Sequence, residues 1–437
     1  MSKYQQFIFE SYQFTPETKR LELHYRLDGQ LHFTESYHFD FDFAAYDPAT
    51  LDRACQALFF LAGVSYYKTY IPPEIVVKQG QLDAAAAAFF SKTYQRGLGE
   101  FWYVNHLDPH TPVTFPANVE TLEPLPGNQP GQGMLVAVGG GKDSLVSIEL
   151  LRPQHDVTTW SMNHRPQLTP LVERIGLPHA WVEREWDSQL LELNKQDALN
   201  GHIPISGIFA CVGTVTAILA GKRDVIMSNE QSANEPTLHY QGVAINHQYS
   251  KSQEFERDYQ QFLSHTLGDR VRYYSFLRPL SEVRIAELFS KVGYEKYKDV
   301  FSSCNRAFVH GSDRMSWCGE CSKCAFVFIA LTPFLPRAEL EQLWHGKNLL
   351  LDPALEPTYR KLLGIEGDKP LDCVGDIKES REAMHLAFQQ YPELAEKYQF
   401  ELPEGYSYTQ EGSHEMPPEI YTLFRQSVDA SLPPAVR

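Results

Sequence analysis

Positive charge is in short supply in this sequence. The chain carries 39 Lys and Arg residues against 55 Asp and Glu residues, which gives a formal net charge of −16. A protein that binds a nucleic-acid backbone usually presents an excess of basic side chains. The charge balance therefore disfavours nucleic acid as the main partner, while a local basic pocket for a small anion stays compatible with it.

The sequence also lacks the apolar segments that take a chain to or across a membrane. Its first residues, MSKYQQFIFESYQF, mix charged and aromatic side chains and contain no apolar stretch typical of a signal peptide. The longest charge-free stretch, 203–221, contains Ser, Thr, Gly and Pro, which favours a buried helix over a membrane span. We expect a cytoplasmic protein without a membrane partner; the oligomeric state stays open.

Cysteine is scarce and unevenly placed. Seven cysteines in 437 residues do not indicate a disulfide framework. Four of them, the four-cysteine cluster, form a C-x13-C-x2-C-x2-C pattern that fits a structural Zn²⁺ site; an iron–sulfur cluster and reduced cysteines without metal are the alternatives. The remaining three are more typical of buried small hydrophobic side chains. The cluster consists of Cys304, Cys318, Cys321 and Cys324.

The first part of the chain predicts an α+β unit. Residues 19–41 alternate apolar and polar side chains on both sides of Asp28-Gly29, a dipeptide typical of a hairpin turn. Helical patterns follow at 48–65 and 82–103. We interpret residues 1–125 as a separate domain with its own antiparallel sheet.

The middle of the chain predicts an α/β domain. Residues 107–133 are rich in proline and glycine and have little periodicity, which is typical of a linker. From Met134 onward, five strand patterns are each followed by a helical pattern. Residues 126–330 are therefore expected to form an open, Rossmann-like parallel sheet with helices on both faces, and residues 331–437 a helical C-terminal extension.

A glycine loop lies between the first of these strands and its helix, in LVAVGGGKDSLVSIELL (135–151). Glycines let backbone N–H groups converge on an anion, and the N-terminus of a helix adds its positive dipole end. Ser144 is placed to cap the helix or to bind a phosphate oxygen. A Walker A loop and a dinucleotide fingerprint are both excluded, because Val136 and Asp143 stand where those motifs need other residues.

The remaining pattern, GGGKDS, resembles the S-G-G-x-D-S signature of the PP-loop ATP pyrophosphatases, with Gly139 in place of the usual serine. This resemblance implies that ATP is cleaved between the α- and β-phosphates, that AMP is transferred to a substrate oxygen, and that Asp143 helps to hold Mg²⁺. Asn163 is a candidate for adenine or ribose contact, although an ordinary strand-end turn explains it almost as well. The implied ATP-binding set is Gly139, Gly140, Gly141, Lys142, Asp143, Ser144, Asn163, Ser228 and Asn229.

Further segments narrow the resemblance to one family. LAGVSYYKTYIP (61–72), GLGEFWYVN (97–105), SNEQSANE (228–235), INHQYSKSQEFE (245–256), WCGECSKCAFVF and KPLDCVG (369–375) occur in order along nearly the whole chain. Together they resemble the ATP-dependent epimerases that act on UDP-N-acetylmuramoyl-L-alanyl-L-glutamate in peptidoglycan precursor synthesis. The four-cysteine cluster resembles the zinc site of the PP-loop enzymes that make 7-cyano-7-deazaguanine.

The implied reaction requires side chains that can bind ATP, transfer a proton and bind an anionic substrate. Removal of a Cα proton beside an anionic carboxylate is difficult, and adenylation of that carboxylate removes the obstacle. Asp143 and Lys142 are then expected to serve the ATP step. Candidate acid/base groups, which the sequence does not rank, are Glu230, His247, Lys251 and Cys373. Cationic side chains expected along the path of the anionic substrate are Lys251, Arg278, Arg306 and Arg314.

Each of these candidates also has an interpretation other than acid/base catalysis. Glu230 would suit Mg²⁺ or ribose, His247 a structural hydrogen bond, Lys251 a phosphate and Cys373 a place in the core. Two other functions stay open. One is a PP-loop enzyme that adenylates a nucleobase or tRNA, which would need a basic RNA-binding surface; the other is a nucleotide-binding regulator without catalysis.

Overall fold

A single large sheet organises the molecule. The computed structural model describes residues 2–127, 129–308 and 312–432. Nine strands form the main sheet in the order β11-β8-β5-β6-β7-β3-β2-β1-β4, and β9 and β10 form a separate hairpin. The strands are β1 Gln6–Thr15, β2 Arg20–Leu27, β3 Leu31–Asp40, β4 Glu74–Val77, β5 Met134–Ala137, β6 Val157–Met162, β7 His179–Glu185, β8 Asp224–Met227, β9 Leu238–Tyr240, β10 Val243–Ile245 and β11 Arg272–Ser275.

Five neighbouring strands of this sheet run parallel. They are β11, β8, β5, β6 and β7, and each corresponds to one of the five strand patterns of the sequence. The strand order places β5 in the middle, with later strands added on both sides. The predicted α/β class, with a mostly parallel sheet flanked by helices, is confirmed.

The N-terminal strands extend this sheet and do not form a sheet of their own. The predicted hairpin is present as β2 and β3, with Leu27 opposite Leu31. Strand β3 then pairs antiparallel with β7, so that Phe39 lies opposite Val182. An unpaired β7 edge would leave a row of backbone donors and acceptors without partners, and β3 satisfies them. The expected separate N-terminal sheet is thus corrected, while the boundaries at residues 125 and 330 stay predictions.

Helices cover both faces of the sheet and enclose two apolar cores. One core joins the N-terminal strands to α1 and α8, and the other joins α5, α10 and α12 to the C-terminal helices. The longer helices are α1 Pro48–Ala62, α3 Ala84–Gly97, α5 Lys142–Leu151, α6 Arg165–Ile175, α8 Ile205–Leu219, α9 Gln253–Leu267, α10 Glu282–Val292, α12 Ser322–Leu331, α15 Ile377–Ala387 and α17 Pro418–Ser431. The shorter ones are α2 Val64–Tyr67, α4 Gly99–Val104, α7 Gln189–Asn194, α11 Tyr294–Tyr297, α13 Arg337–Leu343, α14 Glu356–Leu362 and α16 Leu394–Lys397.

Two helix predictions can be compared directly with the structure. The charge-free stretch forms the buried helix α8, and across the described residues none of the helices is long and apolar enough to span a membrane. The pattern at 82–103 forms two helices, α3 and α4, with a break at Leu98. A single helix was the wrong prediction there, because tertiary packing of the flanking glycines overrides the helical periodicity.

Candidate active site

The glycine loop joins β5 to α5 at the carboxyl edge of the parallel strands. Helix α5 begins at Lys142, with Gly141 as its N-cap residue, and among the described residues no side chain caps it. The first N–H groups of a helix have no intrahelical partner, so this end is free to bind an anion. Ser144 lies inside the first turn and its hydroxyl donates to the Gly141 carbonyl at 3.2 Å. The predicted capping role of Ser144 is therefore wrong.

Close packing explains two of the three glycines. Gly140 has a φ of +95°, and a Cβ there would lie 2.5 Å from the sulfur of Met315. A Cβ on Gly141 would lie 2.6 Å from the hydroxyl of Ser303. Gly139 differs, because no described atom lies within 4 Å of an added Cβ. The loop is thus pressed against the segment that carries Met315 and Ser303, while Gly139 opens towards a cavity.

This cavity of about 300 Å³ lies where β5, β6 and β8 end. Ligands of open α/β sheets bind at this edge, in the crevice between strand ends. One part of its lining is apolar and the other part is polar and charged. The apolar part includes Ala137, Trp160, Phe209 and Met227, and the polar part includes Asp143, Ser144, Ser228, Asn229, Ser303, Lys251, Lys323 and Cys373.

The ammonium group of Lys142 is buried and does not face the cavity. Its side chain is 2% exposed, and its ammonium group contacts the carboxylates of Glu282 and Asp143. Burial opposes the charge of Lys142, but the two carboxylates outweigh it and raise its pKa. Lys142 thus neutralises a buried glutamate and orients Asp143, which lines the cavity. The predicted part of Lys142 in ATP binding stays a prediction.

The other predicted nucleotide contacts divide into two groups. Ser228 and Asn229 line the cavity, and the hydroxyl of Ser228 lies 2.8 Å from that of Ser147. Asn163 has a left-handed backbone with a φ of 61°, and its amide oxygen accepts from the backbone N–H of Arg184 at 2.6 Å. Its side chain ties the end of β6 to β7, so the structure supports the strand-end interpretation over adenine contact.

Cys373 lies at the polar end of the cavity. Its thiol is 3.2 Å from the Nζ of Lys251 and is hydrogen-bonded to His247. Burial alone would raise the pKa of Cys373, but the charge of Lys251 and the contact with His247 lower it to about 6. Cys373 is therefore a thiolate at neutral pH, and a thiolate is the form that accepts a proton.

His247 is the charged partner of this thiolate. Burial disfavours the charge of His247, but hydrogen bonds to Cys373 and Glu100 raise its pKa to about 9. Lys251 stays charged as well, because Cys373 and Glu230 together outweigh its burial and raise its pKa. Three of the four acid/base candidates thus meet at one point, and Cys373 and Lys251 line the cavity.

Glu230 and Arg278 belong to the support of the site. Arg278 is fully buried; it pairs with Glu256 at 3.0 Å and donates to the backbone carbonyls of Glu230 and Lys251. It therefore positions these segments and does not lie on a substrate path. Glu230 is 7% exposed, and its burial, together with the charge of Glu282, raises its pKa.

The two remaining arginines lie at the surface. Arg306 is exposed and forms an ion pair with Glu320 at 2.8 Å. Arg314 is exposed too, and its backbone carbonyl accepts from the Ser312 hydroxyl at 2.8 Å. Their predicted role in substrate binding stays a prediction.

The four-cysteine cluster is assembled as its spacing predicts. The sulfur of Cys304 lies 3.8 Å from that of Cys321, and the sulfur of Cys318 lies 3.8 Å from that of Cys324. All four sulfurs lie within 4.8 Å of one another. Four sulfurs bound about 2.3 Å from a tetrahedral Zn²⁺ would be about 3.8 Å apart, so this donor set fits the metal.

The four-cysteine cluster adjoins the cavity. Lys323, between Cys321 and Cys324, lines the cavity and donates to the backbone carbonyl of Cys373. Asp372, next to Cys373, accepts from Asn305 at 3.0 Å and from Ser322. The backbone N–H of Ser302 donates to the carbonyl of Gly140 at 3.0 Å. The residues next to the cysteines thus connect the glycine loop, Lys323 and the Cys373 segment.

Sequence reasoning missed several residues of the site. Trp160 and Phe209 line its apolar end, Lys323 its charged end, and Glu100 contacts His247. Trp160 is part of an ordinary apolar strand, and Phe209 is part of an ordinary apolar helix. Lys323 had one usable signal, since it stands inside the dense cysteine pattern. Glu100 lies in the segment 97–105, which the family resemblance had singled out without giving it a role.

Comparisons with known proteins agree over most of the chain. A family model described as the MurL N-terminal domain matches residues 1–276, which include every strand named above, and one described as the MurL C-terminal domain matches residues 300–400. A protein from Salinispora tropica is 40% identical over 395 residues, covering 88% of this chain and 85% of that protein. One from Xanthomonas oryzae is 40% identical over 337 residues, covering 76% and 74%. A third, from a Micromonospora species, is 38% identical over 395 residues, covering 88% and 87%. All three are named UDP-N-acetyl-alpha-D-muramoyl-L-alanyl-L-glutamate epimerase.

Proposed function

This chain belongs to the MurL family, and we propose that it uses ATP to invert the terminal glutamate of UDP-N-acetylmuramoyl-L-alanyl-L-glutamate during peptidoglycan precursor synthesis. One observation carries the proposal. The same cavity is lined by the glycine loop, suited to bind phosphate, and by Cys373, suited to accept a proton. An enzyme that activates a carboxylate and then deprotonates the adjacent carbon needs both groups beside one bound substrate.

The first step is the activation of the glutamate carboxylate. The apolar end of the cavity, with Trp160 and Phe209, accepts the adenine ring, and the uncapped N-terminus of α5 receives the phosphates. A carboxylate oxygen attacks the α-phosphorus, the bond between the α- and β-phosphates breaks, and pyrophosphate leaves. Asp143 is the carboxylate that would hold Mg²⁺, which neutralises phosphate charge when it is bound.

The second step moves the Cα proton. The acyl-adenylate is neutral at its carbonyl, so the electron pair left by the Cα proton delocalises into that carbonyl. The Cys373 thiolate takes the proton and becomes a thiol. A water molecule on the opposite face donates a proton to Cα, which gives the D configuration, and the Cys373 thiol returns its proton to solvent, where it neutralises the hydroxide that is left. A second water molecule then hydrolyses the mixed anhydride to AMP and the D-glutamyl product.

Lys251 supports the thiolate and does not act on the opposite face. A proton acceptor and a proton donor would lie on opposite sides of the glutamate Cα. If each is within hydrogen-bond range of that carbon, the two groups are about 6 Å apart. The Nζ of Lys251 and the sulfur of Cys373 are 3.2 Å apart, so both approach from the same side. The ammonium group of Lys251 stabilises the negative charge of Cys373 and of the substrate.

The direct test measures AMP release and glutamate chirality together. The purified chain is incubated with ATP, Mg²⁺ and UDP-N-acetylmuramoyl-L-alanyl-L-glutamate, and D-glutamate is expected in an amount that matches AMP. AMP with only L-glutamate would contradict epimerisation, and absence of AMP would contradict the adenylation step. In D₂O the product is expected to carry deuterium at the glutamate Cα.

The acid/base assignment has its own test. Cys373→Ser replaces the thiolate with a hydroxyl, which is a far weaker base at neutral pH. We expect AMP formation to persist while Cα exchange falls about a hundredfold or more. Cα exchange at the wild-type rate in Cys373→Ser would exclude Cys373 as the base.

A further inference from the structure

The short helix α4 brings a carboxylate to the rear of the acid/base site. Glu100 is the second residue of α4, which follows the break at Leu98. Its side chain is 16% exposed and contacts the Nδ1 of His247. Glu100 and His247 are 147 residues apart in the chain, so only the folded N-terminal segment brings them together.

His247 links this carboxylate to the cavity. One ring nitrogen contacts Glu100, and the ring is also hydrogen-bonded to Cys373. Cys373 in turn lies 3.2 Å from Lys251 and lines the cavity. A continuous chain of contacts therefore runs from Glu100 through His247 to the thiol that faces the substrate.

We propose that Glu100 is a positioning residue that holds His247 protonated and oriented towards Cys373, so that Cys373 is kept as a thiolate. The inference rests on the proposed function for its catalytic meaning, because it explains how the proton acceptor of that reaction is maintained. A carboxylate that orients an imidazole, which in turn supports a nucleophile or base, is a recurring arrangement on unrelated folds. Here the carboxylate comes from the N-terminal part of the chain.

Other charged groups around Glu100, His247 and Cys373 also favour a protonated His247 and a Cys373 thiolate. Cys373 faces the ammonium groups of Lys251 and Lys323 in addition to His247. His202 lies with its ring centroid 4.6 Å from that of His247 and its Nδ1 3.8 Å from Glu100.

His202 does not compete for the charge of Glu100. Burial, followed by the positive charges of His247 and Lys251, lowers the pKa of His202 to about 4. His202 is thus neutral, and the negative charge of Glu100 acts on His247. The segment that carries His202 is held by Lys68, whose ammonium donates to Asn200 at 2.6 Å and to the carbonyl of Gly201 at 3.2 Å.

A metal ion is the competing occupant of this cluster. Glu100, His202 and His247 place three potential ligand atoms within 4.8 Å of one another. The direct contact between Glu100 and the Nδ1 of His247 describes a hydrogen-bonded ion pair, in which a proton occupies the place of a metal. The nearby ammonium groups of Lys68 and Lys251 further disfavour a divalent cation.

The first arm of the test measures the thiol and needs no catalysis. Alkylation of Cys373 by iodoacetamide is followed by mass spectrometry from pH 5 to 9, in the wild type and in Glu100→Gln. Removal of the negative charge lets His247 lose its proton, so the pKa of Cys373 is expected to rise and the alkylation profile to move to higher pH. At pH 7 the rate should fall severalfold. Glu254→Gln is the matched control, because Glu254 pairs with Lys92 and Arg96 and is 42% exposed.

The second arm measures the reaction. In Glu100→Gln we expect Cα exchange in D₂O to fall about tenfold or more at neutral pH and to recover as pH rises, with AMP formation retained. Glu100→Asp, which keeps the charge, is expected to restore part of the exchange. Equal losses of AMP formation and exchange would show a general structural defect and overturn the proposal.

Three further outcomes separate the alternatives. An alkylation profile that does not move in Glu100→Gln overturns the inference, whatever the reaction of the enzyme is. Elemental analysis would identify Glu100, His202 and His247 as a metal site if it found more than one zinc ion per chain and if Glu100→Gln lost the excess. That result would also overturn the inference. A shifted profile in a chain that forms no AMP would support the Glu100 role and contradict only the proposed function.

Discussion

The cysteines outside the four-cysteine cluster show how surroundings decide the chemistry of one residue type. Cys55 and Cys211 are completely buried among apolar side chains, and this burial raises their pKa values, that of Cys211 to about 12. Cys373 is flanked by Lys251 and His247, and its pKa is lowered to about 6. The sequence treats all three as candidates for the core. Of the three, only Cys373 has these positive neighbours, and Lys251 and His247 lie more than a hundred positions away from it in the chain.

Asp143 provides the first prediction at the residue scale. Asp143→Asn removes the negative charge that faces the cavity but keeps the size of the side chain. We expect the rate of AMP formation to fall about a hundredfold, because charge stabilisation at the phosphates is lost, while Tm stays close to that of the wild type. Asp156→Asn is the control, since Asp156 forms a surface pair with Lys222 and is 68% exposed. AMP formation at the wild-type rate in Asp143→Asn would contradict the assignment of the loop.

Arg278 gives a second residue-scale prediction, on stability. Arg278→Met leaves the carboxylate of Glu256 buried without its partner and the carbonyls of Glu230 and Lys251 without a donor. The expected loss of unfolding free energy is about 3–5 kcal/mol. Arg257→Met is the matched control, because Arg257 is 56% exposed in its pair with Glu415, and its loss should cost under about 1 kcal/mol. Urea unfolding of both variants checks the difference, and equal stabilities would refute a supporting role for Arg278.

At the scale of elements, the break between α3 and α4 decides where Glu100 points. Gly97 is packed so tightly that a Cβ there would lie 2.6 Å from the side chain of Pro204. The chain turns at Leu98 and starts α4 in a new direction. A sequence pattern with helical periodicity does not show this turn, because the cause is a contact with a segment 107 positions away. The same turn places Glu100 behind His247.

The glycine loop gives the prediction at this scale. Gly140→Ala introduces a side chain at a φ of +95° and against Met315, while Gly139→Ala introduces one into open space. We expect Gly140→Ala to lose about 1–2 kcal/mol from the backbone strain alone, and more from the contact. Gly139→Ala should unfold at the wild-type temperature. Calorimetry of both variants checks the contrast, and equal Tm values would mean that the loop geometry is wrong.

At the scale of the whole molecule, the four-cysteine cluster joins parts of the active site that are far apart in sequence. It adjoins Gly140 through Ser302 and the Cys373 segment through Asp372. We propose that it holds one structural Zn²⁺, because the spacing of its sulfurs fits tetrahedral coordination. Such a metal would contribute to folding and would also keep the cavity assembled.

Removal of the metal is the prediction at this scale. Cys318→Ser is expected to lower zinc content from about one ion per chain. We also expect Tm to fall by roughly 10 °C, since each 1 kcal/mol lost from the free energy of unfolding lowers Tm by about 2–4 °C. AMP formation should fall with it. Cys55→Ala is the control, because Cys55 is buried in the other apolar core and its loss should leave zinc content unchanged. Full zinc content in Cys318→Ser would contradict the site, and iron with sulfide would identify the alternative.

The sequence by itself determined the α/β class, the five parallel strands, the glycine loop and the four-cysteine cluster. These features are local, since a strand-loop-helix pattern and a cysteine spacing are visible within some twenty residues. The sequence also identified Cys373, His247 and Lys251 as candidate acid/base groups, but it did not rank them. Ranking them requires knowing which charges surround each group, and no local pattern contains that information.

Only the tertiary structure decided which candidates meet. It joined the N-terminal hairpin to β7, because an open sheet edge needs backbone partners. It buried Lys142 and Arg278 against carboxylates, because a cation taken out of water requires an opposite charge. It brought Glu100 to His247 across 147 positions of the chain. Long-range burial and charge pairing therefore assemble this site from the elements that the local patterns specify.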